Sequence, residues 1–402
     1  MSREQRKLDH IRYALELGDG PLPNGFTDMH FLHNCLPELA PADIDITTTL
    51  GGIKLSVPFL INAITGGTDN VIDINRKLAQ TAKSVGAAIA VGSQYGAVKS
   101  KSSYRSFKVV REVYPNGVVF ANVSALATPD EAAEAVKMLD ADALQVHLNP
   151  AQELVMPEGD RNFKGLFDNM RRILEHSEVP VIVKETGCGM AAEQIKQMLV
   201  FGFTWFDIGG AGGTNFPAIE AKRFTSQKSV LAEWGINTAK TLTEAFSVCG
   251  RNDIIIASGG IRDGLTAAKA FALSADVVGM SGNILRYIIE KDIEEAQRAL
   301  TDIINDLKMV MLLTGSSDLK ALRNAPIYFT GELREFLLGR NYDISKIVST
   351  CYCNLRKIKK RRKPLILLGF PAEFLACQKG FEPPTFRLGG ERSIQLSYWH
   401  IT

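Results

Sequence analysis

The segment from residue 147 to residue 159 is the part of the chain richest in side chains that can do chemistry. His147 and Asn149 are two residues apart, so on an extended segment both side chains face the same side. Gln152 and Glu153 follow on a predicted turn. A carboxylate such as Glu153 suits Mg²⁺, which proteins hold with one or two carboxylates and phosphate oxygens of the substrate. A lone histidine is more often structural, but this cluster favours an active site.

Positive charge is concentrated near the N-terminus, where Arg6, Lys7 and His10 follow one another closely. Such side chains bind phosphate oxygens through charged hydrogen bonds, so three of them together could clamp a diphosphate. A solvated, charged helix is the ordinary explanation for the same residues. The residues alone leave both interpretations open.

Two glycine-rich segments late in the chain are typical of phosphate-binding loops. Residues 258–264 read Ser-Gly-Gly-Ile-Arg-Asp-Gly and precede a predicted helix, and residues 279–282 read Gly-Met-Ser-Gly. Glycine lets backbone N–H groups approach an anion closely, and a helix N-terminus adds partial positive charge. Either segment alone could be a tight turn, but the two together favour phosphate. A third glycine-rich loop spans residues 210–214.

Lys184 stands at the end of an apolar run and would place a cation near the mouth of the fold. A positive charge there can stabilise an anionic flavin ring. The alternative is a structural salt bridge with Glu185 or Asp207. Both interpretations stay open at this point.

Short apolar runs that could be buried strands alternate with longer helical patterns. These predicted strands and helices must position the reactive residues. Runs that are apolar on both faces are typical of parallel sheets. Eight runs are found, at 59–64, 88–92, 118–123, 143–147, 179–184, 205–208, 254–257 and 275–280. Helical patterns lie between them at 74–85, 129–139, 166–177, 191–201, 239–248 and 264–273. Eight strand–helix repeats predict a (β/α)₈ TIM barrel, with a doubly wound open sheet as the alternative.

Polar residues or glycine follow nearly every predicted strand. Active sites of (β/α)₈ barrels lie at the carboxyl ends of the strands, so these positions are the informative ones. They include Thr65, Gly66, Gly92, Ser93, Asn122, His147, Asn149, Lys184, Gly209, Ser258, Gly259 and Ser281. Their concentration predicts an active site without relying on any single motif.

The composition is that of an ordinary globular protein, with 46% hydrophobic and 22% charged residues and a formal net charge of +2. So small a net charge predicts no nucleic-acid or membrane partner. The sequence contains no run of about 18 apolar residues, the length needed to span a membrane. No apolar signal core follows the polar N-terminus, and the six cysteines are scattered. We therefore expect a cytoplasmic protein with reduced thiols.

The chain changes character after residue 349. Residues 356–363 consist almost entirely of lysine and arginine, and no strand–helix rhythm continues beyond them. We predict that residues 1–349 form a single catalytic domain with an N-terminal substrate-clamping segment, and that residues 350–402 are a basic tail outside the fold. A basic arm that binds nucleic acid or membrane is the alternative.

Removal of residues 350–402 should leave activity and melting temperature nearly unchanged. Burial of so many crowded cations would be costly unless each were paired with an anion, so the barrel should not depend on them. Activity assays and thermal unfolding of the shortened chain test this expectation. A collapse in either would assign the tail a role in folding or assembly.

Seven motifs, in the same order along the chain, resemble the type 2 isopentenyl-diphosphate isomerase family. They span residues 6–10, 65–67, 92–93, 145–147, 152–159, 212–216 and 258–260. The Gln-Glu-Leu-Val-Met-Pro-Glu-Gly motif at 152–159 is highly specific, whereas Ser-Gly-Gly is shared by many flavin barrels. The resemblance covers about residues 5–345. It implies FMN, Mg²⁺, NADPH as the reductant and a homotetramer or homo-octamer.

The resemblance also implies roles for individual residues. Gln152 would be catalytic together with reduced FMN, by relaying or orienting a proton, and Glu153 would hold the metal. The substrate-binding residues would be Arg6, Lys7, His10, Ser93, His147, Asn149 and Gln152. The FMN-binding residues would be Ala63, Ile64, Thr65, Gly66, Ser93, Asn122, Lys184, Gly209, Thr214, Gly259, Gly260, Ile261, Arg262, Met280 and Ser281.

One departure from the family pattern lies at Gly209, where the family often has serine. A hydroxyl contact to FMN is therefore absent at this position. The alternative functions are an FMN-dependent 2-hydroxy-acid oxidase or dehydrogenase on the same barrel, and a flavin-binding protein without catalysis. An oxidase of that kind needs a histidine base with arginines for a carboxylate, and the Gln152–Glu153 pair favours the isomerase instead.

Overall fold

The computed structural model describes residues 3–101, 103–224 and 229–349. Twelve strands lie in these ranges. They are β1 (Met29–Phe31), β2 (Thr48–Leu50), β3 (Ile53–Leu55), β4 (Phe59–Ile61), β5 (Ala88–Ala90), β6 (Val119–Ser124), β7 (Ala143–Leu148), β8 (Val181–Glu185), β9 (Trp205–Asp207), β10 (Ile254–Ser258), β11 (Val277–Met280) and β12 (Ile327–Phe329). Strands β4 to β11 form a closed barrel in chain order, with every neighbouring pair parallel. The predicted (β/α)₈ barrel is confirmed, and closure by the β11–β4 pair rules out the open sheet.

Helices follow the barrel strands and cover its outside. The helices of the described ranges are α1 (Arg3–Leu17), α2 (Ile72–Val85), α3 (Tyr95–Ser100), α4 (Arg105–Val113), α5 (Pro129–Leu139), α6 (Pro150–Val155), α7 (Leu166–His176), α8 (Ala192–Val200), α9 (Phe216–Phe224), α10 (Thr238–Val248), α11 (Gly264–Ala272), α12 (Gly282–Glu290), α13 (Ile293–Thr314), α14 (Leu319–Leu322), α15 (Gly331–Gly339) and α16 (Ile344–Ser349). Helix α5 shows why the predicted starts are accurate: Thr128 and Glu131 form a capping box, with proline in the first turn.

A β-hairpin closes the amino-terminal end of the barrel. Strands β2 and β3 pair antiparallel, and their buried Leu50 and Leu55 join the barrel's interior cluster with Trp205. Gly51 turns the hairpin at a φ of 52°, and a Cβ there would lie 2.6 Å from Cζ2 of the Trp205 ring. Only glycine allows this close approach without strain. Because this end is filled with apolar side chains, the opposite end of the barrel is left for chemistry.

None of the helices in the described ranges is long and apolar enough to cross a membrane. The predicted basic tail at 350–402 lies outside the described residues. The division into a catalytic domain and a tail therefore stays a prediction.

Candidate active site

A cavity of about 620 Å³ opens at the carboxyl ends of the barrel strands. A volume of this size suits a cofactor or small ligand. Every site residue predicted from the sequence lines it, and these are Arg6, Lys7, His10, Ala63, Ile64, Thr65, Gly66, Ser93, Asn122, His147, Asn149, Gln152, Glu153, Lys184, Gly209, Thr214, Gly259, Gly260, Ile261, Arg262, Met280 and Ser281. The structure thus brings the whole predicted set together, while their individual roles stay predictions.

Gln152 lies on the short helix α6, where its side-chain amide is held from both sides. Its Nε2 donates a hydrogen bond to Oε1 of Glu220 at 2.7 Å, and its Oε1 accepts one from Nδ2 of Asn149 at 3.1 Å. Asn149 stands at the N-cap position of α6 but does not cap the helix with its side chain. Its amide instead donates hydrogen bonds to Gln152 and Glu153, so Asn149 positions both predicted functional side chains.

Glu220, on α9, is one of the supporting residues that the sequence analysis did not assign to the site. Its side chain is fully buried, and it accepts hydrogen bonds from His10 Nε2 at 2.7 Å, from Gln152 and from Arg223. Burial acts to raise the pKa of Glu220, but the bonds from His10, Gln152 and Arg223 outweigh it and hold the pKa below its ordinary value. One buried anion therefore ties helix α1 to the loop after β7. Its partners His10 and Gln152 are remote in sequence, so no local pattern pointed to its place beside them.

Arg6 and His10, which the sequence predicts to clamp a diphosphate, have carboxylate partners. Arg6 Nη1 lies 3.7 Å from Oε1 of Glu158, and His10 is bonded to Glu220. Lys7 reaches across the cavity and donates hydrogen bonds to the carbonyl oxygens of Gly66 and Ser93. These residues lie on the helix α1, and Arg6, Lys7 and His10 line the cavity, so the clamp interpretation stays a prediction.

Lys184 forms the salt bridge that the sequence analysis held as the alternative to a flavin contact. Its Nζ lies 2.8 Å from Oδ2 of Asp207, which is fully buried. Asp207 also accepts a hydrogen bond from the Ser258 hydroxyl. The same lysine lines the cavity, so the salt bridge and a ligand contact are compatible.

A line of buried amides continues from Asp207 across the barrel mouth to His147. Asn62 Nδ2 donates to Asp207 Oδ2 at 2.7 Å, and Gln145 Nε2 donates to Asn62 Oδ1 at 2.9 Å. Asn122 Nδ2 donates to Gln145 Oε1 at 2.8 Å, and Nδ1 of His147 lies 2.8 Å from Asn122 Oδ1. The sequence analysis did not assign Asn62, Gln145 or Asp207 to the site. These three residues could have been found from the sequence, because each is a polar residue inside or at the end of an apolar strand.

His147 is held as a neutral imidazole. Burial lowers its pKa to about 4, and the nearby cation of Lys184 acts in the same direction. The two residues are register partners on the neighbouring strands β7 and β8. A neutral ring donates from one nitrogen and accepts at the other.

The two late glycine-rich segments lie side by side with the loop after β9. Gly259 and Gly260 have φ values of 115° and 69°, and a Cβ on either would lie 2.0 Å from a carbonyl oxygen of that loop. Their own carbonyls accept hydrogen bonds from Thr238 and Asn24. Because N–H and C=O point in opposite directions across a trans peptide, the N–H groups that follow these carbonyls point the other way.

Glu153 is the single predicted metal ligand. Its Oε1 accepts a hydrogen bond from Asn149 at 2.9 Å, and its Oε2 accepts one from the Asp160 backbone N–H at 3.0 Å. Within residues 3–101, 103–224 and 229–349, no three His, Cys, Asp or Glu side chains are grouped as a metal site would require. A metal at Glu153 would therefore need most of its ligands from substrate and water.

The sequence of this chain is similar to those of known enzymes. Residues 114–328 match the family model for FMN-dependent dehydrogenases. The isopentenyl-diphosphate delta-isomerase of a Geobacillus species is 41% identical over 344 residues, which cover 85% of this chain and 98% of that protein. The enzyme of the same name from Moorella thermoacetica is 42% identical over 340 residues, covering 85% and 97%. The chain belongs to the isopentenyl-diphosphate delta-isomerase family. The resemblance stated from the motifs, and with it the prediction of an enzyme, is confirmed.

Solved structures with the same fold have sequences that are much less similar to this chain. A mandelate oxidase variant with a monooxide FMN adduct gives a TM-score of 0.57 at 13% identity, covering 80% of this chain and 100% of that one. A lactate oxidase from Pediococcus acidilactici gives 0.58 at 15% identity, covering 81% and 90%. At such low identity these likenesses establish the barrel fold alone.

The departure at Gly209 has a steric reason in this member of the family. Gly209 has a φ of 44°, and a Cβ at this position would lie 2.1 Å from the carbonyl oxygen of Glu185. A serine would therefore require the loops after β8 and β9 to move apart. The close approach of these two loops therefore leaves no room for a side chain at this position.

Proposed function

We propose that this enzyme interconverts isopentenyl diphosphate and dimethylallyl diphosphate by moving a proton between two carbons, with reduced FMN and Mg²⁺. The observation that carries the proposal is the fixed amide of Gln152. It lies in the cavity beside Glu153, bonded to the buried carboxylate of Glu220. In this reaction one carbon gains a proton and another loses one, and neither is activated by a carbonyl. The acid and base must therefore be held in close contact with the substrate.

The cavity fits FMN at its glycine-rich side. The N–H groups that follow the anchored Gly259 and Gly260 carbonyls, and the first turn of α12, supply donors for a phosphate. Ser281 stands at the N-cap position of α12 without capping it with its side chain, which leaves that turn available to a ligand. Lys184 would lie against the ring end of the cofactor. When bound, the reduced flavin supplies the acid–base group of the reaction.

The remaining predicted residues divide between the cofactor and the substrate. For FMN we propose Ala63, Ile64, Thr65, Gly66, Ser93, Asn122, Lys184, Gly209, Thr214, Gly259, Gly260, Ile261, Arg262, Met280 and Ser281. Arg6, Lys7, His10, Ser93 and Asn149 would anchor the diphosphate, and Glu153 would hold Mg²⁺ on it. Binding energy from the diphosphate end then orients a hydrocarbon tail that offers no polar handle of its own. Gln152 would orient or relay the proton at that tail.

We also propose NADPH as the reductant and a homotetramer or homo-octamer as the assembly. Two exposed apolar side chains, Val230 at 91% and Trp234 at 63%, support association because a second copy could cover them. Cytoplasmic localisation, and the absence of nucleic-acid and membrane partners, remain predictions. Solution mass measurement and rates with NADPH against NADH test the first two proposals.

One assay tests the proposed function. The full chain is incubated anaerobically with FMN, NADPH, Mg²⁺ and isopentenyl diphosphate, and dimethylallyl diphosphate is quantified. We expect product with the complete mixture and none when the flavin stays oxidised. Oxidation of a 2-hydroxy acid without any isomerisation would favour the oxidase instead, and flavin binding without turnover would favour a non-catalytic protein.

Substitution of Lys184 by methionine should weaken FMN binding about tenfold or more. A hydrogen bond to a charged group contributes about 1.5–3 kcal/mol, and each 1.4 kcal/mol is a factor of ten in affinity. The substitution also leaves Asp207 buried without its cation, so stability should fall. Flavin fluorescence quenching measures the affinity, and thermal unfolding measures the stability.

The double variant Lys184→Met with Asp207→Asn separates the two effects. It removes both charges, so much of the lost stability should return while FMN binding stays weak. If FMN affinity returns to the wild-type value in the double variant, Lys184 serves only to pair Asp207. The flavin role would then be wrong.

A further inference from the structure

A series of hydrogen bonds connects Asp207 to His147, and Asp207 determines which group is the donor and which is the acceptor in each of them. Asp207 accepts hydrogen bonds from Lys184, Ser258 and Asn62, and an ionised carboxylate can only accept. The amide of Asn62 must therefore present its NH₂ to Asp207 and its oxygen to Gln145. The orientation of each side-chain amide in the series is therefore determined by the orientation of the amide before it.

The next two links carry this direction to the histidine. Gln145 donates to the oxygen of Asn62, so its own oxygen faces Asn122 and accepts from the Asn122 NH₂. The Asn122 oxygen is then the atom 2.8 Å from Nδ1 of His147. Reversing Asn122 would place two oxygens 2.8 Å apart at Gln145, which no hydrogen could bridge. Nδ1 of His147 therefore carries the proton.

A second proton on His147 is disfavoured by its surroundings. Burial is the largest effect that keeps the ring uncharged, and the Lys184 ammonium on the adjacent strand and Lys7 act in the same direction, whereas a hydrogen bond with the Val123 backbone acts against them and is outweighed. No salt bridge between His147 and a carboxylate is found in the described part of the chain. With Nδ1 protonated and the ring neutral, Nε2 has a free lone pair and can only accept a hydrogen bond.

We infer that Asp207, acting through Asn62, Gln145 and Asn122, sets His147 as the Nδ1–H tautomer, and that its bare Nε2 accepts a hydrogen bond from a ring N–H of the flavin. This inference rests on the proposed function for its ligand. It moves His147 from the substrate side, where the sequence resemblance placed it, to the cofactor side. A diphosphate in neutral solution offers oxygens and almost no donors, so it is a poor partner for an acceptor. Asn62, Gln145, Asn122 and Asp207 become positioning residues.

Solid-state ¹⁵N NMR of protein containing ¹⁵N-histidine reads the tautomer directly, independent of particle size. The His147 signals are assigned by their loss in a His147→Asn variant. We expect a protonated Nδ1 and an unprotonated Nε2 at neutral pH. Added FMN, oxidised or reduced, should move the Nε2 signal in the direction of an accepted hydrogen bond. Inorganic diphosphate with Mg²⁺, without flavin, should leave it in place.

A substitution that removes the hydrogen bonds of Gln145 should allow His147 to adopt either neutral tautomer. In Gln145→Met we expect both neutral tautomers of His147 to be populated, together with several-fold weaker FMN binding. Gln94→Met is the matched control, because Gln94 is an equally buried glutamine whose side chain bonds to the Ala135 carbonyl and the Asn122 backbone N–H. It should lose comparable stability and keep the single Nδ1–H tautomer.

Three results would overturn the inference. They are an Nε2–H tautomer in the wild type, an Nε2 signal that responds to diphosphate but not to FMN, and an unchanged single tautomer in Gln145→Met. If that variant fails to fold, the first two results still test the inference, because both are measured on the wild-type protein. An enzyme that shows the tautomer and the flavin response but leaves isopentenyl diphosphate unchanged would contradict the proposed function and leave this inference intact.

Discussion

Replacing Gln152 by alanine should lower kcat by about 10²–10⁴-fold, the usual contribution of a positioned proton-transfer group. The loss should appear in kcat because Gln152 would touch the reacting carbons and not the diphosphate anchor. Binding of FMN and the Mg²⁺ requirement should stay as in the wild type. Glu220 keeps His10 and Arg223 as partners in this variant, so no buried anion is left unpaired.

Steady-state kinetics with isopentenyl diphosphate measure the effect. Gln197→Ala provides a control, since Gln197 is an exposed glutamine on α8, away from the cavity, and should keep wild-type rates. A loss below about tenfold would suit an orienting role for Gln152, with the flavin alone moving the proton. A change confined to KM would show that Gln152 binds substrate without acting on the proton.

Strand order and strand ends could be predicted from the sequence because both depend on local patterns. Each run apolar on both faces became a barrel strand, although the observed strands are often shorter, as with β4, which ends at Ile61 where the pattern extended to residue 64. Closure between β4 and β11 follows once eight parallel strands are counted. The residues just past the strands therefore had to meet at one mouth.

The supports of the site could not be predicted because their partners are distant in sequence. Glu220 is 68 residues from Gln152, and Asn62 is 145 residues from Asp207. Whether Lys184 faces a flavin or a carboxylate depends on its register with Asp207 on the neighbouring strand β9, which periodicity does not specify. Buried polar residues need partners, so Gln145 and Asp207 inside apolar strands signalled a network without showing its members.

Replacing Glu153 by glutamine should raise the Mg²⁺ concentration needed for half-maximal rate by about tenfold or more, which corresponds to losing roughly 1.4 kcal/mol of metal binding. The side chain keeps its shape but loses its negative charge, and Mg²⁺ prefers carboxylate oxygens. Diphosphate binding should weaken in parallel, since the metal would bridge the two. Because the defect lies in metal affinity, high Mg²⁺ should restore much of the rate.

This rescue distinguishes loss of a metal ligand from disturbance of the loop. Glu153 accepts hydrogen bonds from Asn149 and from the Asp160 backbone, and glutamine can satisfy only one of these donors. A purely structural defect would lower the rate at every Mg²⁺ concentration and would also affect Gln152, which shares Asn149. Glu175→Gln, an exposed substitution of the same kind on α7, should leave the Mg²⁺ dependence unchanged. A rate loss in Glu153→Gln that Mg²⁺ does not relieve would contradict the metal assignment and leave Glu153 as a support for the loop that presents Gln152.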